Sequence, residues 1–363
     1  MTGVEVGSGA RNTRLRIVEL DGLRGIAALW VVFYHLWGAI QKREVGWVPD
    51  AIGEFFHVGF LGVDIFFVLS GFVITYSVAN IQVTSTFVPR FILRRSVRID
   101  PPYWAAIALA IAFMLLKNVF FPSESVALPS FEKLTAHVFY LQDILGYGNI
   151  SSVFWTLCLE FQFYLIFGIL YHFFNSCGQS TNRTLFPAIL LVGLVLCGLS
   201  PALRFSSFEL AIPGTLLPYA YEFILGVIAY HCVTGAVAYR YLLIGTLLMV
   251  GVTALFKPFY YGLAPALTLM VIVSAREWRG VPFLKSTFVQ WLGRISYSLY
   301  LTHAVIGWVT ISLLARFLRQ FDSPPITVGI FGGGLVASLV FAFMFYRVIE
   351  KPSLVISRKL KKL

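Results

Sequence analysis

Apolar runs about as long as a bilayer is thick recur along the whole chain, separated by short polar, Pro-bearing or Arg-bearing pieces. The pattern predicts ten helical spans, over residues 22–40, 59–79, 103–121, 153–174, 185–203, 214–234, 240–257, 260–275, 295–318 and 327–349. The fold expected is all-α, a polytopic transmembrane bundle of about ten spans. The longest interval between spans, about 122–152, is too short to bury a core of its own. The chain therefore divides into an N-terminal tail (1–18), a membrane domain (19–352) and a basic C-terminal tail (353–363). Any chemistry belongs to the bundle.

Composition agrees: 58% of the 363 residues are hydrophobic, 12% are charged and the mean hydropathy is +0.81. The first run lacks a small-residue cleavage site and carries His35 in its middle, so it reads as a span and not a removable leader. Of the 28 Lys and Arg, most fall on the termini and on one set of alternate loops, Arg90, Arg94, Arg95, Arg98 and Lys351 among them. The other set holds Lys42, Arg43, Lys117, Lys133, Arg204, Lys257, Arg316 and Arg319. That asymmetry places both termini in the cytoplasm. It also accounts for the net charge of +11 without nucleic acid, since the basic residues are spread over loops and a tail. Cys158, Cys177, Cys197 and Cys232 are isolated, with neither metal-ligand spacing nor a disulfide framework, and read as packing residues.

Ionisable groups inside apolar spans are costly and need a partner or a watered cavity. Arg24 and His35 are eleven residues apart, which on a helix brings them to nearly one face, separated by about 16 Å. Arg24 then sits near the cytoplasmic boundary and His35 near mid-bilayer; a snorkelling arginine and a histidine hydrogen-bonded to a neighbouring helix would give the same pattern. The second span carries Asp64 in its outer half, suited to orienting or charge-balancing an imidazole. Ser70, Gly71 and the Gly59/Gly62 pair allow neighbouring helices to approach closely. In "FWTLCLEFQFYL", Trp155 reads as an interface anchor, while Glu160 and Gln162 lie within the apolar run. Ser296, Tyr300 and His303 share one helical face, and Tyr346 and Glu350 share another before Pro352, which is expected to end the last helix.

Between the second and third spans, "RFILRRSVRIDPPYW" reads as a cytoplasmic loop. It crowds four arginines into nine residues, more than orientation requires. Arg95 and Arg98 would set two guanidinium forks side by side, matched to phosphate oxygens, with lipid headgroups as the competing partner.

"LDGLRGIAALWVVFYH", "GVDIFFVLSGFVIT", "RRSVRIDPPYW", "WTLCLEFQFYL", "ISYSLYLTH" and "YRVIEKP" occur in that order and cover nearly the whole chain. Together they resemble the acyltransferase-3 family, bacterial integral-membrane enzymes that O-acetylate surface polysaccharides. The resemblance maps the family's Arg/His pattern onto Arg24 and His35, and its R-x-x-R-x-x-P-x-Y signature onto Arg95, Arg98, Pro101 and Tyr103. The W-S-L-x-x-E pattern falls on Trp155, Thr156, Leu157 and Glu160. Thr156 replaces a serine and Phe161 stands where a second carboxylate is common, which weakens any two-carboxylate mechanism. Many members carry an additional esterase-like domain, so a chain ending at Leu363 resembles the stand-alone form.

The resemblance implies a multi-pass protein of the bacterial cytoplasmic (inner) membrane with no metal and no permanently bound cofactor. Acyl-CoA, by default acetyl-CoA, would be the co-substrate, and a polysaccharide, oligosaccharide or lipid-linked glycan the acceptor. Arg24, Arg95, Arg98 and Tyr103 would receive acyl-CoA. His35 would act as general base, with Glu160 or Asp64 fixing its tautomer. Ser70, Trp155, Tyr300 and His303 would orient substrates. A proton-coupled transporter using the same His, Asp and Glu as a relay is the competing reading; it leaves the crowded arginines unexplained and predicts flux without CoA release.

Overall fold

The computed structural model describes residues 17–41, 49–79, 81–176, 179–205, 213–277, 280–318 and 323–360. The basic residues Arg11, Arg14, Arg16, Lys42, Arg43, Arg279, Arg319, Lys361 and Lys362, and Cys177, lie outside them. The described residues form helices joined by turns and loops, with no strand among them. In chain order the helices are α1 (Val18–Gln41), α2 (Asp50–His57), α3 (Gly62–Val78), α4 (Phe87–Phe120), α5 (Phe131–Val138), α6 (Trp155–Ser176) and α7 (Gln179–Phe205). They continue with α8 (Ala220–Val233), α9 (Tyr239–Phe256), α10 (Tyr260–Glu277), α11 (Thr287–Phe317), α12 (Pro324–Phe345) and α13 (Lys351–Lys359).

Each of the ten expected spans coincides with an apolar helix. Eight are long enough to cross a membrane and two, Leu217–Val233 and Tyr260–Arg276, are shorter. The chain is a multi-pass membrane protein.

Three expectations about helix ends are corrected. The segment taken for a basic loop is the first half of α4, which runs unbroken through Arg94, Arg95 and Arg98 and past Pro101 and Pro102. Arginine lowers local hydropathy but is a good helix former, so the expected span starts at 103, sixteen residues after the helix begins at Phe87. For the same reason α11 begins at Thr287, ahead of Arg294. Pro352 does not end the last helix: a π turn over Tyr346–Glu350 leads into α13, where the proline occupies the first turn and its missing N–H costs nothing. α13 packs on α4, with Ser357 Oγ donating to the Arg94 carbonyl at 2.9 Å.

Small residues set how closely the helices approach. A Cβ on Gly25 would strike the backbone of Gly293, so α1 and α11 lie nearly in backbone contact. The expected pair Gly59 and Gly62 meets the α1 carbonyls of Trp30 and Ala27, while Gly71 and Gly226 lock α3 to α8. Three apolar clusters fill the spaces between, the largest joining α3, α4, α6 and α11. Cys158, Cys197 and Cys232 are free thiols buried among them.

Candidate active site

α1 and α11 are parallel and in register. His35 meets His303 across a sequence offset of 268 residues, the offset that also relates Gly25 to Gly293. His303 is fully buried and its Nδ1–H donates to the Leu299 carbonyl at 2.9 Å. Its Nε2 is therefore an acceptor, 3.1 Å from His35 Nδ1. His35 Nδ1 is also 3.0 Å from the Val31 carbonyl, which can only accept, so Nδ1 carries the hydrogen and shares it between that oxygen and His303. In the neutral ring the lone pair then sits on Nε2. Trp308 steadies the same turn by donating Nε1–H to the His35 carbonyl at 3.0 Å.

Neither carboxylate expected beside His35 is there. Asp64 is fully buried and paired with Arg204 at 2.9 Å; Glu222, also fully buried, takes the other guanidinium nitrogen at 2.6 Å. This ion triad ties α3, α7 and α8 together. In the sequence Arg204 reads as a loop cation and Glu222 belongs to no motif, although a carboxylate inside an apolar run is itself the warning.

Glu160 accepts from Ser70 Oγ at 3.0 Å and from the Tyr164 hydroxyl, facing a narrow cavity of about 80 Å³. Arg24, Arg95 and Arg98 line this slot with Glu160, Ser70, Ser296 and Tyr300, so its wall holds three arginines and one carboxylate-bearing residue. Arg95 is buried between the Phe91 and Tyr164 rings, with Nη2 donating to Ser77 Oγ at 2.5 Å. Glu350 lies within electrostatic reach of Arg24 and Arg98 and accepts from the Ser298 hydroxyl at 2.6 Å and its N–H at 3.1 Å.

The slot stops at Tyr300. That hydroxyl is 2.9 Å from Thr156 Oγ1 and 3.2 Å from the Val153 carbonyl, Phe66 packs edge-on against the ring, and the His303 ring centre lies 6.0 Å beyond. A plug one turn thick thus separates the arginines from the histidine pair.

Tyr103 and Trp155 are elsewhere. Tyr103 is buried two turns past Arg95, stacked on Tyr140 with ring centres 4.9 Å apart and accepting from Gln142 Nε2 at 3.4 Å. It does not line the arginine slot. Trp155 starts α6 and packs against Phe67 and Tyr219. Tyr140 holds a left-handed backbone (φ 60°) with its hydroxyl donating to Asp100 at 2.9 Å, a constraint that no sequence pattern announces.

Outside the membrane helices, His137 is fully buried: Nδ1–H donates to the Lys133 carbonyl at 2.8 Å and Nε2 accepts from the Ile150 N–H at 3.0 Å. Burial lowers its pKa from the ordinary histidine value. Among the described residues no three His, Cys, Asp or Glu side chains converge as a metal site.

A family model described as "Acyltransferase domain" matches residues 17–347. Peptidoglycan O-acetyltransferase OatA of Listeria monocytogenes is 26% identical over an alignment covering 94% of this chain and 56% of that protein. O-acetyltransferase OatA of Staphylococcus aureus is 26% identical over 51% of this chain and 29% of its own length. Protein 2 in the picA locus of Rhizobium radiobacter is 35% identical over 28% of this chain and 47% of its own length. The chain thus spans about half the length of the curated relatives it matches, or less. No solved structure matches it significantly.

Proposed function

Because the chain belongs to the acyltransferase-3 family, we propose that it is a membrane O-acetyltransferase that moves acetyl from cytosolic acetyl-CoA to a carbohydrate hydroxyl, with His35 as general base. The observation that carries this reading is the His35–His303 contact, which leaves His35 Nε2 as the proton acceptor. Abstraction of the acceptor's O–H proton at Nε2 lets its oxygen add to the thioester carbonyl. The imidazolium keeps its Nδ1–H bonds to the Val31 carbonyl and to His303. The C–S bond then breaks, and the departing CoA thiolate takes the proton back from Nε2.

The slot supports a donor arriving at the arginine end, with both termini on the cytosolic side as the charge asymmetry implies. Arg24 and Arg98 are suited to phosphate oxygens, whereas Arg95, held by Ser77 and two rings, shapes the wall. At about 80 Å³ the slot has room for only a handful of waters, so it suits the slender pantetheine arm while the nucleotide stays outside. The thioester reaches His35 only after Tyr300 leaves its bonds to Thr156 and Val153.

The protein reconstituted in lipid and given acetyl-CoA, a glycan acceptor and a thiol dye is expected to release CoA well above its slow acceptor-free rate only when acceptor and His35 are both present. Acceptor-dependent release that survives His35→Ala would sink the reading. Proton-coupled flux of the glycan with no CoA released would favour a transporter.

A further inference from the structure

The helices part again at the end opposite the arginines. A cavity of about 1500 Å³ opens between the C-terminal halves of α4 and α11, larger than the roughly 300–1,000 Å³ of a small-ligand pocket. Lys117, on its wall, stands nineteen residues beyond Arg98 on one helix, about 28 Å away, so this space is separate from the arginine slot. Its inner end comes close to the histidine pair without either ring lining it: Ala304, next to His303, and Trp308, bonded to the His35 carbonyl, are both on its wall.

The lining mixes three kinds of contact. Trp308 offers a partly exposed ring, and Ser152 and Ser312 bring hydroxyl-bearing side chains to the wall. At the rim, Arg316 lies over the Phe121 ring at 4.7 Å and pairs with Glu124 at 3.3 Å. That pair neutralises itself and leaves the Lys117 ammonium as the net charge among the described residues that line the cavity. Rings that stack on C–H faces, hydroxyls that match hydroxyls and one excess cation together describe a site for an acidic sugar.

We propose that this cavity binds the acceptor as an oligosaccharide bearing an anionic group, with Lys117 reading the charge and the Trp308 end presenting a hydroxyl to His35. The inference rests on the transfer reading above and adds where the acceptor sits and which charge it carries. It fits a space that opens away from the donor, so that the two substrates meet at the histidines from opposite ends.

The test is binding, measured calorimetrically on the protein in lipid nanodiscs without acetyl-CoA. The probes are the disaccharide of N-acetylglucosamine and N-acetylmuramic acid, which carries a carboxylate, and neutral diacetylchitobiose. The acidic sugar is expected to bind about fivefold more tightly, the scale of one partly exposed charge pair. Lys117→Met should remove that preference, Lys117→Arg should keep it, and Ser312→Trp, which fills the cavity, should weaken both sugars. Equal binding of the two sugars by the native protein, or an unchanged preference in Lys117→Met, would overturn the proposal, as would a cavity that takes up only lipid. CoA release in the separate transfer assay with no sugar binding would fail this inference alone. Sugar binding as expected with no CoA release would fail the transfer reading alone.

Discussion

His35 and His303 touch through Nδ1 and Nε2 at 3.1 Å, with each Nδ1–H turned to a backbone carbonyl one helical turn earlier. His303 therefore holds the His35 ring by one tautomer and rotamer, as a buried carboxylate does for the histidine of a hydrolase triad. Replacing His303 by Ala is expected to lower kcat by about 10²-fold, with little change in KM for acetyl-CoA. His303→Gln, which keeps an acceptor near that position, should recover part of the loss. A His303→Ala enzyme with native kcat would separate the pair from the chemistry.

Arg95 and Arg98 are neighbours in sequence that do different work. Arg98→Ala should raise KM for acetyl-CoA about tenfold and flatten its dependence on salt, since a phosphate contact is lost. Arg95→Ala empties a buried site between two rings and is expected to lower thermal stability as well as activity. Arg95→Lys should not rescue it, because a compact ammonium cannot contact both rings and bond Ser77 as the planar guanidinium does. Matching effects of the two alanine variants on KM and unfolding temperature would contradict this division.

The triad of Asp64, Arg204 and Glu222 is structural. Removing Arg204 leaves two carboxylates buried side by side, a loss on the order of 3–5 kcal/mol. Arg204→Met is expected to unfold well below the native protein in lipid nanodiscs, and adding Asp64→Asn with Glu222→Gln should restore much of the difference. If the triple variant is no more stable than Arg204→Met, the charges are not the cause.

Tyr300 closes the slot from the histidines by its bonds to Thr156 and the Val153 carbonyl. Tyr300→Phe removes both bonds while keeping the ring. Acetyl-CoA hydrolysis without acceptor should rise several-fold, a change on the order of one hydrogen bond. Hydrolysis at the native rate, with transfer also unchanged, would show that the hydroxyl does not hold the gate.

His137 links pH to the outer wall. Its folded pKa is lowered below 6.5, so the unfolded chain takes up the proton first as pH falls. The stabilisation is complete above about pH 6.5 and is lost on acidification, when protonated Nε2 can no longer accept from the Ile150 N–H. Hydrogen-exchange protection across residues 131–154, taken relative to the intrinsic rate at each pH, should fall between pH 7.5 and pH 5.5, and that of His137→Gln should not. An equal fall in the variant would assign the effect to another group.

The chain's own pattern was sufficient for the helical spans, because bilayer thickness sets run length and buried backbone demands helices. It was also sufficient for the stripes Arg24–His35 and Ser296–Tyr300–His303, since helical periodicity puts those residues on one face whatever lies opposite. The stripes do meet, with glycines allowing the close contact. Helix ends at Arg94–Arg98 and Arg294 were illegible because hydropathy and helix propensity disagree for arginine.

Partner choice was decided by the tertiary structure alone. An isolated carboxylate in a span announces a need for a counter-charge but not which one. Asp64 found Arg204, 140 residues away, and Glu160 found Ser70, 90 residues away, so His35 was left to His303 across 268 residues. Those separations have no periodicity to read. They follow from which small residues let which helices touch, and that is settled only when all the faces are buried at once.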